Sequence, residues 1–444
     1  MPQQVLIAQP LTAARSRGLS GRLRPPADRL IGLMALMLAA VSRGDSLLEG
    51  LGEGADDRAA IDAIGAMGVA VERTDDGHKV SGLGALGLLE PRAMLDFSAA
   101  PTALWLTLGM VAPHSFASRF AGSDLPPTGP VVEALRALGA DVQEQRSGHM
   151  PVALRGPVTG VPFVYRLPVG STEVKAALLL AALGLPGVSS LIEVTPTPDH
   201  AERLCAHFGV DIKLGYWADG SPSIEIAGLP RLDAQTIALA ADPELTAFPI
   251  VASLIVLGSD VMIENVLMHP ARTALVDVLR QMGADIEVLE QRLSGGEEVA
   301  DLRVRHSRLS ATAIPATLVP LAVIPALAIA AAFAEGETRI GIGRTAAEGD
   351  MVALLVDGLL ANGIAARRDG AALVITGGDP MAKLGGGTVT VGGNGFVAMA
   401  FLIMGLATTE AITIDDDRPI AGIYPGFRAA LHALGADFYK RWTK

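Results

Sequence analysis

Acidic, hydroxyl and guanidinium side chains stand where three apolar helices are predicted to begin. They are Asp28 and Arg29 before LIGLMALML, Ser171, Thr172 and Glu173 before VKAALLLAAL, and Arg344, Glu348 and Asp350 before MVALLVDGLL. Carboxylates in such places can transfer protons, and an arginine can bind a carboxylate or phosphate of a ligand. The same residue types also cap helices, and acids stabilise a first helical turn, so both roles stay open.

The elements that carry these residues recur six times along the chain. Six amphipathic segments, such as AIDAIGAMGVAV and LVDVLRQMGADI, end in a glycine followed by a short extended stretch. The closing glycines are Gly68, Gly139, Gly209, Gly283, Gly363 and Gly435, at intervals of 70 to 80 residues. A glycine in this place predicts a helix C-cap in the left-handed conformation. A regular period of this length predicts a repeated supersecondary unit.

A second, more apolar series alternates with the first and includes VKAALLLAALGL and FVAMAFLIMGLA. Helices that are apolar on every side are buried, so each unit is predicted to hold one buried helix, one surface helix and several strands. Six units predict an α/β protein of two domains with inner helices and outer sheets. We place one domain at 1–26 plus 237–444 and the other at 27–236. A cleft between them, lined by helix N-termini, would suit a small polar ligand.

Composition narrows the class of protein. The chain has 444 residues, a formal net charge of −12 and 18% charged residues, which argues against nucleic acid or an anionic membrane as a partner. Cys205 is the single cysteine, so an intrachain disulfide and a multi-cysteine metal site are excluded. The run 313–334 has 22 uncharged residues with three prolines and is interpreted as a buried helix, not a membrane span. The N-terminus does not resemble a signal peptide, so we expect a cytoplasmic protein. No P-loop, dinucleotide or zinc fingerprint is present, and no cofactor is predicted.

Several stretches resemble the enolpyruvyl transferase family, and most closely the class II form of 5-enolpyruvylshikimate-3-phosphate synthase. GLSGRLRPPADRLIGLMALMLAA resembles its opening loop, which carries Pro-Gly-Asp-Lys-Ser, and YRLPVGSTEVKAALLLAAL resembles its Ser-Ala-Gln segment. DPELTAFPIVASLIVLGSDV, VLMHPARTALVDVLRQMGADIEV and GGEEVADLRVR continue the match in order. The resemblance implies a two-domain inside-out α/β barrel. It also implies transfer of the enolpyruvyl group of phosphoenolpyruvate to a hydroxyl of shikimate 3-phosphate.

Carried over position by position, the resemblance predicts a depleted cationic site. Arg29 takes the place of the family lysine, Thr102 is kept, and Glu173 replaces a glutamine. The positions of the other family contacts are occupied here by Leu30, Met34, Ala99, Pro101, Trp105, Pro126, Pro198, Ala322, Val323, Ala347, Met351, Asn394, Gly395 and Phe396. Arg29 is then the cation left to face two phosphates and two carboxylates, which are costly to desolvate without partners.

These replacements lead to an expectation about function. We expect a repurposed, cofactor-free enzyme that acts on an unphosphorylated, shikimate-like or other small cyclic substrate by elimination or isomerisation. Glu348 and Glu173 would transfer protons. The ligand would contact Asp28, Arg29, Thr102, Trp105, Ser171, Thr172, Arg344, Asp350 and Phe396. A non-catalytic binding protein with a protein partner, and a true 3-phosphoshikimate 1-carboxyvinyltransferase, are the alternatives.

Overall fold

The computed structural model describes residues 8–122, 129–146, 149–318, 320–343, 345–378 and 383–440, with the backbone alone at 129, 145–146 and 346–348. The chain divides into two compact units. The central unit comprises Ala27–Ala240 and Leu293–Glu297. The terminal unit comprises Met1–Pro26, Ala241–Arg292 and Glu298–Lys444.

Helices alternate between a buried and a surface class along the described chain. In chain order they are α1 (Arg29–Ala40), α2 (Ala55–Ala66), α3 (Pro101–Val111), α4 (Gly129–Ala137), α5 (Thr172–Leu183), α6 (His200–His207), α7 (Pro243–Ile255), α8 (Ala274–Gln281), α9 (Ile324–Phe333), α10 (Ala346–Ala361), α11 (Gly395–Gly405), α12 (Arg418–Ile423) and α13 (Phe427–Ala433). The odd-numbered helices from α1 to α11 are the inner series. Helices α1, α3 and α5 pack together in the central unit, and α7, α9 and α11 do so in the terminal unit.

The inner helices are buried on every side because they consist almost wholly of Ala, Leu, Val, Ile, Met and Phe. In α5 every residue from Val174 to Leu183 is buried, and in α11 every residue from Val397 to Gly405 is buried. The predicted closing glycines all adopt left-handed φ angles, from 84° at Gly363 to 104° at Gly435. The prediction of repeated glycine C-caps is therefore confirmed.

The strands, in chain order, are β1 (Leu11–Ala14), β2 (Ser20–Leu23), β3 (Arg43–Glu49), β4 (Ala70–Thr74), β5 (Gly77–Leu83), β6 (Leu95–Asp96), β7 (Ala117–Ala121), β8 (Asp141–Arg146), β9 (His149–Arg155), β10 (Val164–Leu167), β11 (Val188–Glu193), β12 (Ile212–Tyr216), β13 (Pro222–Ala227), β14 (Thr236–Ala238), β15 (Asp260–Leu267), β16 (Asp285–Ser294), β17 (Glu297–Arg305), β18 (Ala313–Ile314), β19 (Gly336–Gly341), β20 (Ala365–Asp369), β21 (Ala372–Gly377), β22 (Thr388–Val389), β23 (Ile412–Ile414) and β24 (Asp437–Tyr439).

The described strands form six four-stranded sheets. Their orders are β14-β3-β5-β4, β6-β7-β9-β8 and β10-β11-β13-β12 in the central unit, and β16-β17-β15-β2, β18-β19-β21-β20 and β22-β23-β1-β24 in the terminal unit. In each sheet one edge strand is parallel to its neighbour, and that neighbour is antiparallel to the next strand. This common pattern is the structural counterpart of the sequence repeat.

Two edge strands belong to a different unit from the helix that follows them in the chain. Strand β2 precedes α1, yet it pairs with β15, with Ser20 opposite Asp260. Strand β14 precedes α7, yet it pairs with β3, with Thr236 opposite Leu47. Strand β1 lies between β23 and β24, so the first and last described strands share one sheet.

The apolar run at 313–334 is not one long helix. It contains β18, a 3₁₀ turn at Leu321–Val323 and the ten-residue helix α9. Residues Ile324–Ala332 of α9 are buried in the core of the terminal unit. No helix among the described residues is long and apolar enough to cross a membrane. The prediction of a buried helix is therefore confirmed for Ile324–Phe333 and wrong for the first part of the run, where β18 and the 3₁₀ turn lie.

Candidate substrate-binding site

The start of α5 brings together three of the predicted site residues. Ser171 is the N-cap, and its Oγ accepts a hydrogen bond from the N–H of Val174 at 3.3 Å. The hydroxyls of Ser171 and Thr172 donate to the same Glu173 oxygen, Oε2, at 3.0 and 3.1 Å. All three residues are partly exposed. The arrangement presents a carboxylate, held by two hydroxyls, at a helix N-terminus.

One turn further along α5 lies a buried cation that the sequence analysis missed. The side chain of Lys175 is 1% exposed, and its Nζ donates to Glu202 Oε1 at 2.7 Å and to the carbonyl oxygen of Pro198 at 2.9 Å. Glu193 Oε1 lies 3.4 Å from the same Nζ. Burial raises the pKa of Glu202, and Lys175 opposes that shift. A lysine inside an otherwise apolar helix was the available signal, because a buried charge requires a partner.

The start of α1 carries Asp28 and Arg29. Asp28 is the N-cap, and its Oδ1 accepts a hydrogen bond from the N–H of Ile31 at 3.1 Å. Arg29 reaches across to α2, where its Nη1 lies 3.6 Å from Asp56 Oδ2. The Arg29 side chain is 55% exposed, so it keeps access to a ligand.

Asp56 joins the starts of three helices. It lies in the first turn of α2, pairs with Arg29 of α1, and accepts a hydrogen bond from the N–H of Ala103 in α3 at 2.9 Å. Burial raises the pKa of Asp56, while the Ala103 bond, Arg29 and the Thr102 N–H lower it. Thr102, one of the predicted site residues, therefore lies where the starts of α1, α2 and α3 meet. Asp56 was also missed from the sequence, because its partners are distant in the chain.

Trp105 lies one turn into α3 and is partly buried, and its Nε1 has no hydrogen-bond partner among the described residues. Ala99, two residues before that helix, has a φ of 62°, a left-handed conformation that is unusual for alanine. The start of α3 is therefore polar at Thr102 and apolar on either side.

The terminal unit contains the remaining predicted residues. The backbone of Glu348 lies in the first turn of α10, and Asp350 of the same helix is exposed. Phe396 lies at the start of α11, where Asn394 Oδ1 accepts from the N–H groups of Phe396 and Val397 at 3.0 and 3.1 Å. Arg344 and Pro126 lie outside the described residues.

The side chain of Phe396 packs on the neighbouring inner helix. Its ring stacks on that of Phe248 in α7, with centroids 6.2 Å apart and an interplanar angle of 27°. Within the described ranges, no group of three or more His, Cys, Asp or Glu side chains is placed to hold a metal ion. The catalytic roles of Glu173 and Glu348 stay predictions.

Comparison with known proteins decides the family. A family model described as EPSP synthase (3-phosphoshikimate 1-carboxyvinyltransferase) matches residues 14–431. The chain belongs to the EPSP synthase family. This confirms the resemblance to the enolpyruvyl transferases that was inferred from the sequence motifs.

Curated relatives within this family cover nearly the whole chain. A protein of Chelativorans sp. (strain BNC1), named 3-phosphoshikimate 1-carboxyvinyltransferase, is 41% identical over 444 residues, covering 98% of this chain and 99% of that protein. A protein of Pseudomonas sp. (strain PG2982) with the same name is 42% identical over 435 residues, covering 96% and 97% of the two chains.

Solved structures of family members support the fold. EPSP synthase from Acinetobacter baumannii superposes with a TM-score of 0.88 at 30% identity, covering 97% of this chain and 100% of that chain. The enolpyruvyl transferase NikO from Streptomyces tendae gives a TM-score of 0.75 at 17% identity, covering 98% and 99% of the two chains, which supports the fold alone. The predicted α/β fold of the EPSP synthase type is confirmed.

The same comparisons contradict the predicted function. We expected a repurposed enzyme for an unphosphorylated ring, but relatives that are 41–42% identical over almost the entire chain are named 3-phosphoshikimate 1-carboxyvinyltransferase. The expectation was wrong because it drew a chemical conclusion from about a dozen positions and gave no weight to the rest of the chain. It also treated each replaced side chain as an independent loss, whereas residues that act as a unit are not additive.

Proposed function

We propose that the chain is a 3-phosphoshikimate 1-carboxyvinyltransferase. The observation that carries the proposal is the 41% identity to a protein of that name across 98% of this chain. In the reaction, a substrate hydroxyl oxygen forms a new bond to the carboxyvinyl carbon of phosphoenolpyruvate. The bond from that carbon to the phosphate oxygen breaks, inorganic phosphate leaves, and the hydroxyl proton is released. The proposal includes the cytoplasmic location expected from the sequence.

The described polar residues can be given roles in this reaction. Arg29, exposed at the start of α1, would bind an anionic group of a substrate. The hydroxyls of Ser171 and Thr172 would exchange their bonds to Glu173 for bonds to substrate oxygens. Glu173 and Glu348 are the proposed proton carriers. Binding of the substrate in a cleft between the two units stays a prediction.

The proposal includes a diverged set of substrate contacts. Glu173 places a carboxylate where the resembling family members have an amide, and Leu30 and Met34 place apolar groups where they have polar ones. A carboxylate beside a phosphate costs binding free energy through like-charge repulsion. We therefore expect weak binding of shikimate 3-phosphate by the native chain.

The first test is a turnover assay of the full chain with phosphoenolpyruvate and shikimate 3-phosphate. Phosphate release together with a new enol ether, detected by mass spectrometry, would support the proposal. Absence of both products at millimolar concentrations of the two substrates would overturn it. Binding of plain shikimate in calorimetric titration, with no heat from either phosphorylated compound, would also count against it.

The second test replaces Glu173 with glutamine. Removing one negative charge close to the expected phosphate should lower the KM for shikimate 3-phosphate by about tenfold, since a 1.4 kcal/mol change in binding corresponds to that factor. The matched control is Glu225→Gln, because Glu225 is an exposed glutamate on β13 of the same unit. Equal effects in the two variants would mean that Glu173 has no special place in substrate binding.

A further inference from the structure

A buried charge cluster lies directly behind the start of α5. Lys175 is surrounded by Glu202 and Glu193, whose side chains are 4% and 6% exposed. Its Nζ also lies 2.9 Å from the carbonyl oxygen of Pro198 and 3.4 Å from that of Thr197. One ammonium group thus faces two carboxylates and two carbonyl oxygens, so the cluster has more acceptors than a structural ion pair requires.

These bonds hold the loop at 194–199, which connects β11 to α6. The loop sequence VTPTPD contains Pro196 and Pro198, which have no N–H to donate. Thr197 instead donates through its N–H and its hydroxyl to Glu193 Oε1, at 3.2 and 2.6 Å. Side chains therefore supply hydrogen bonds that backbone groups supply in most ordered loops.

The loop lies against the residue that precedes the cap of α5. A Cβ placed on Gly170 would come within 3.1 Å of the side chain of Thr195 and 3.2 Å of its carbonyl oxygen. Gly170 is followed directly by Ser171, Thr172 and Glu173. A displacement of the loop would therefore be felt at the helix start where substrate is proposed to bind.

We propose that Lys175 is a positioning residue that fastens the loop at 194–199 to α5 and thereby fixes the substrate-binding edge at Ser171–Glu173. This inference rests on the proposed function, because it takes that edge as part of the substrate site. Lys175 is buried and does not itself touch substrate. Its effect on the reaction passes through the loop and the helix start, where misplacement by about 1 Å can cost a large factor in rate or binding.

The first test follows the loop without any substrate. In Lys175→Met, hydrogen–deuterium exchange of peptides covering 194–199 should speed up by about tenfold or more, because the loop loses the donor that holds two of its carbonyls. Lys213→Met is the matched control, since Lys213 is an exposed lysine on β12 of the same unit. Unchanged exchange in the Lys175 variant would overturn the proposal.

The second test separates positioning from simple stability. Lys175→Met leaves Glu202 buried beside an apolar group, so the melting temperature should fall. The double variant Lys175→Met/Glu202→Met removes one of the two carboxylates left without Lys175 and should recover part of the melting temperature, because Glu193 keeps its hydrogen bonds from Thr197. Its KM for shikimate 3-phosphate should nevertheless stay raised by about tenfold. Recovery of KM together with the melting temperature would show a merely structural role and overturn the proposal.

Different results would overturn the proposed function and the positioning role of Lys175. A native chain without turnover overturns the proposed function, and with it the substrate role of the edge, whatever the exchange data show. A native chain with turnover, combined with a Lys175→Met variant whose loop exchange and KM are native, overturns the positioning role alone.

Discussion

The starts of α5 and α11 occupy equivalent places in the repeat but are built from opposite chemistry. At α5, Ser171, Thr172 and Glu173 form a hydrogen-bonded group in front of the buried Lys175. At α11, Asn394 caps the helix, and Phe396 stacks on Phe248 of α7. The central unit therefore offers charge and hydroxyl groups at this position, whereas the terminal unit offers an aromatic ring.

The contrast shows how one repeat can supply two kinds of contact. Both helices are capped by a side-chain oxygen at the start and are buried along their length. The first turn carries the partly exposed side chains, and these can change without disturbing the core behind it. Specificity can thus be altered at the helix starts while the fold persists, provided that buried partners such as Lys175 are kept.

The largest expected effect comes from removing the ring on which Phe396 stacks at the start of α11. Phe248 is fully buried, so Phe248→Ala should lower the free energy of unfolding by about 3–5 kcal/mol, through lost burial and a cavity. Urea unfolding measures this loss. Leu360→Ala is the control, because Leu360 is 55% exposed, and it should change stability by less than about 0.5 kcal/mol. A loss below about 1 kcal/mol at Phe248 would show that the stacked pair does not support α11.

Removing the two caps compares the helix starts directly. Ser171→Ala and Asn394→Ala each leave backbone N–H groups without their acceptor, and each should cost about 1 kcal/mol of stability. The caps should differ in their effect on binding, since Ser171 also belongs to the proposed substrate edge. Calorimetric titration with shikimate 3-phosphate should show weaker binding for the Ser171 variant, at matched melting temperature. Equal affinities in both variants would show that the two helix starts do not differ in substrate binding.

Asp416 and Asp56 should contribute to stability with opposite dependence on pH. Arg418 lowers the pKa of Asp416 in the terminal unit to about 2. The stability that Asp416 contributes is therefore present above its ordinary pKa of about 3.9 and is lost as pH falls through about 2. Asp416→Asn should cost up to about 1 kcal/mol at pH 7, and less at pH 3, since the pair lies near the surface.

In the central unit, burial raises the pKa of Asp56, so the sign reverses. The folded chain holds the proton more tightly there, and stability falls as pH rises through the folded pKa. Asp56→Asn should remove that decline. Urea unfolding of the native chain and of both variants between pH 3 and pH 7 measures the free energy of unfolding lost at each position, and losses that change with pH in the same direction would refute the assignment.

The smallest effect is expected at the start of α3. Ala99 has a φ of 62°, a conformation that asparagine tolerates better than alanine. Ala99→Asn should raise the free energy of unfolding by about 0.5 kcal/mol, which thermal unfolding can detect. Ala100→Asn is the comparison, because Ala100 is buried with negative φ and should lose stability. A loss at both positions would show that the backbone at Ala99 is not strained.

The repeated architecture was accessible from the sequence for a clear reason. Helices that are apolar on every side have few ways to be buried, and glycines at intervals of 70 to 80 residues mark the end of each unit. Sheet order was less accessible. The pairing of Thr236 with Leu47 joins residues that are far apart in the chain, and no local pattern records it.

The candidate site shows the same difference between local contacts and contacts between distant residues. Ser171, Thr172 and Glu173 are neighbours in sequence, so a motif places them together at one helix start, although their mutual hydrogen bonds were not predicted. Lys175 and Glu202 meet only because α5 and α6 pack, and that pairing was missed. The prediction of function was wrong for the same reason, because replaced side chains were counted without the long-range contacts that surround them.

The sheet β22-β23-β1-β24 has a consequence for how the chain is made on the ribosome. Strand β1 ends at Ala14, whereas its partners begin at Ile412 and Asp437. At typical translation rates, the first strand waits roughly 20 to 80 seconds for its neighbours to emerge. The central unit can assemble most of its sheets in that interval. During that interval β1 has two unpaired edges, which can pair with other chains unless they are protected.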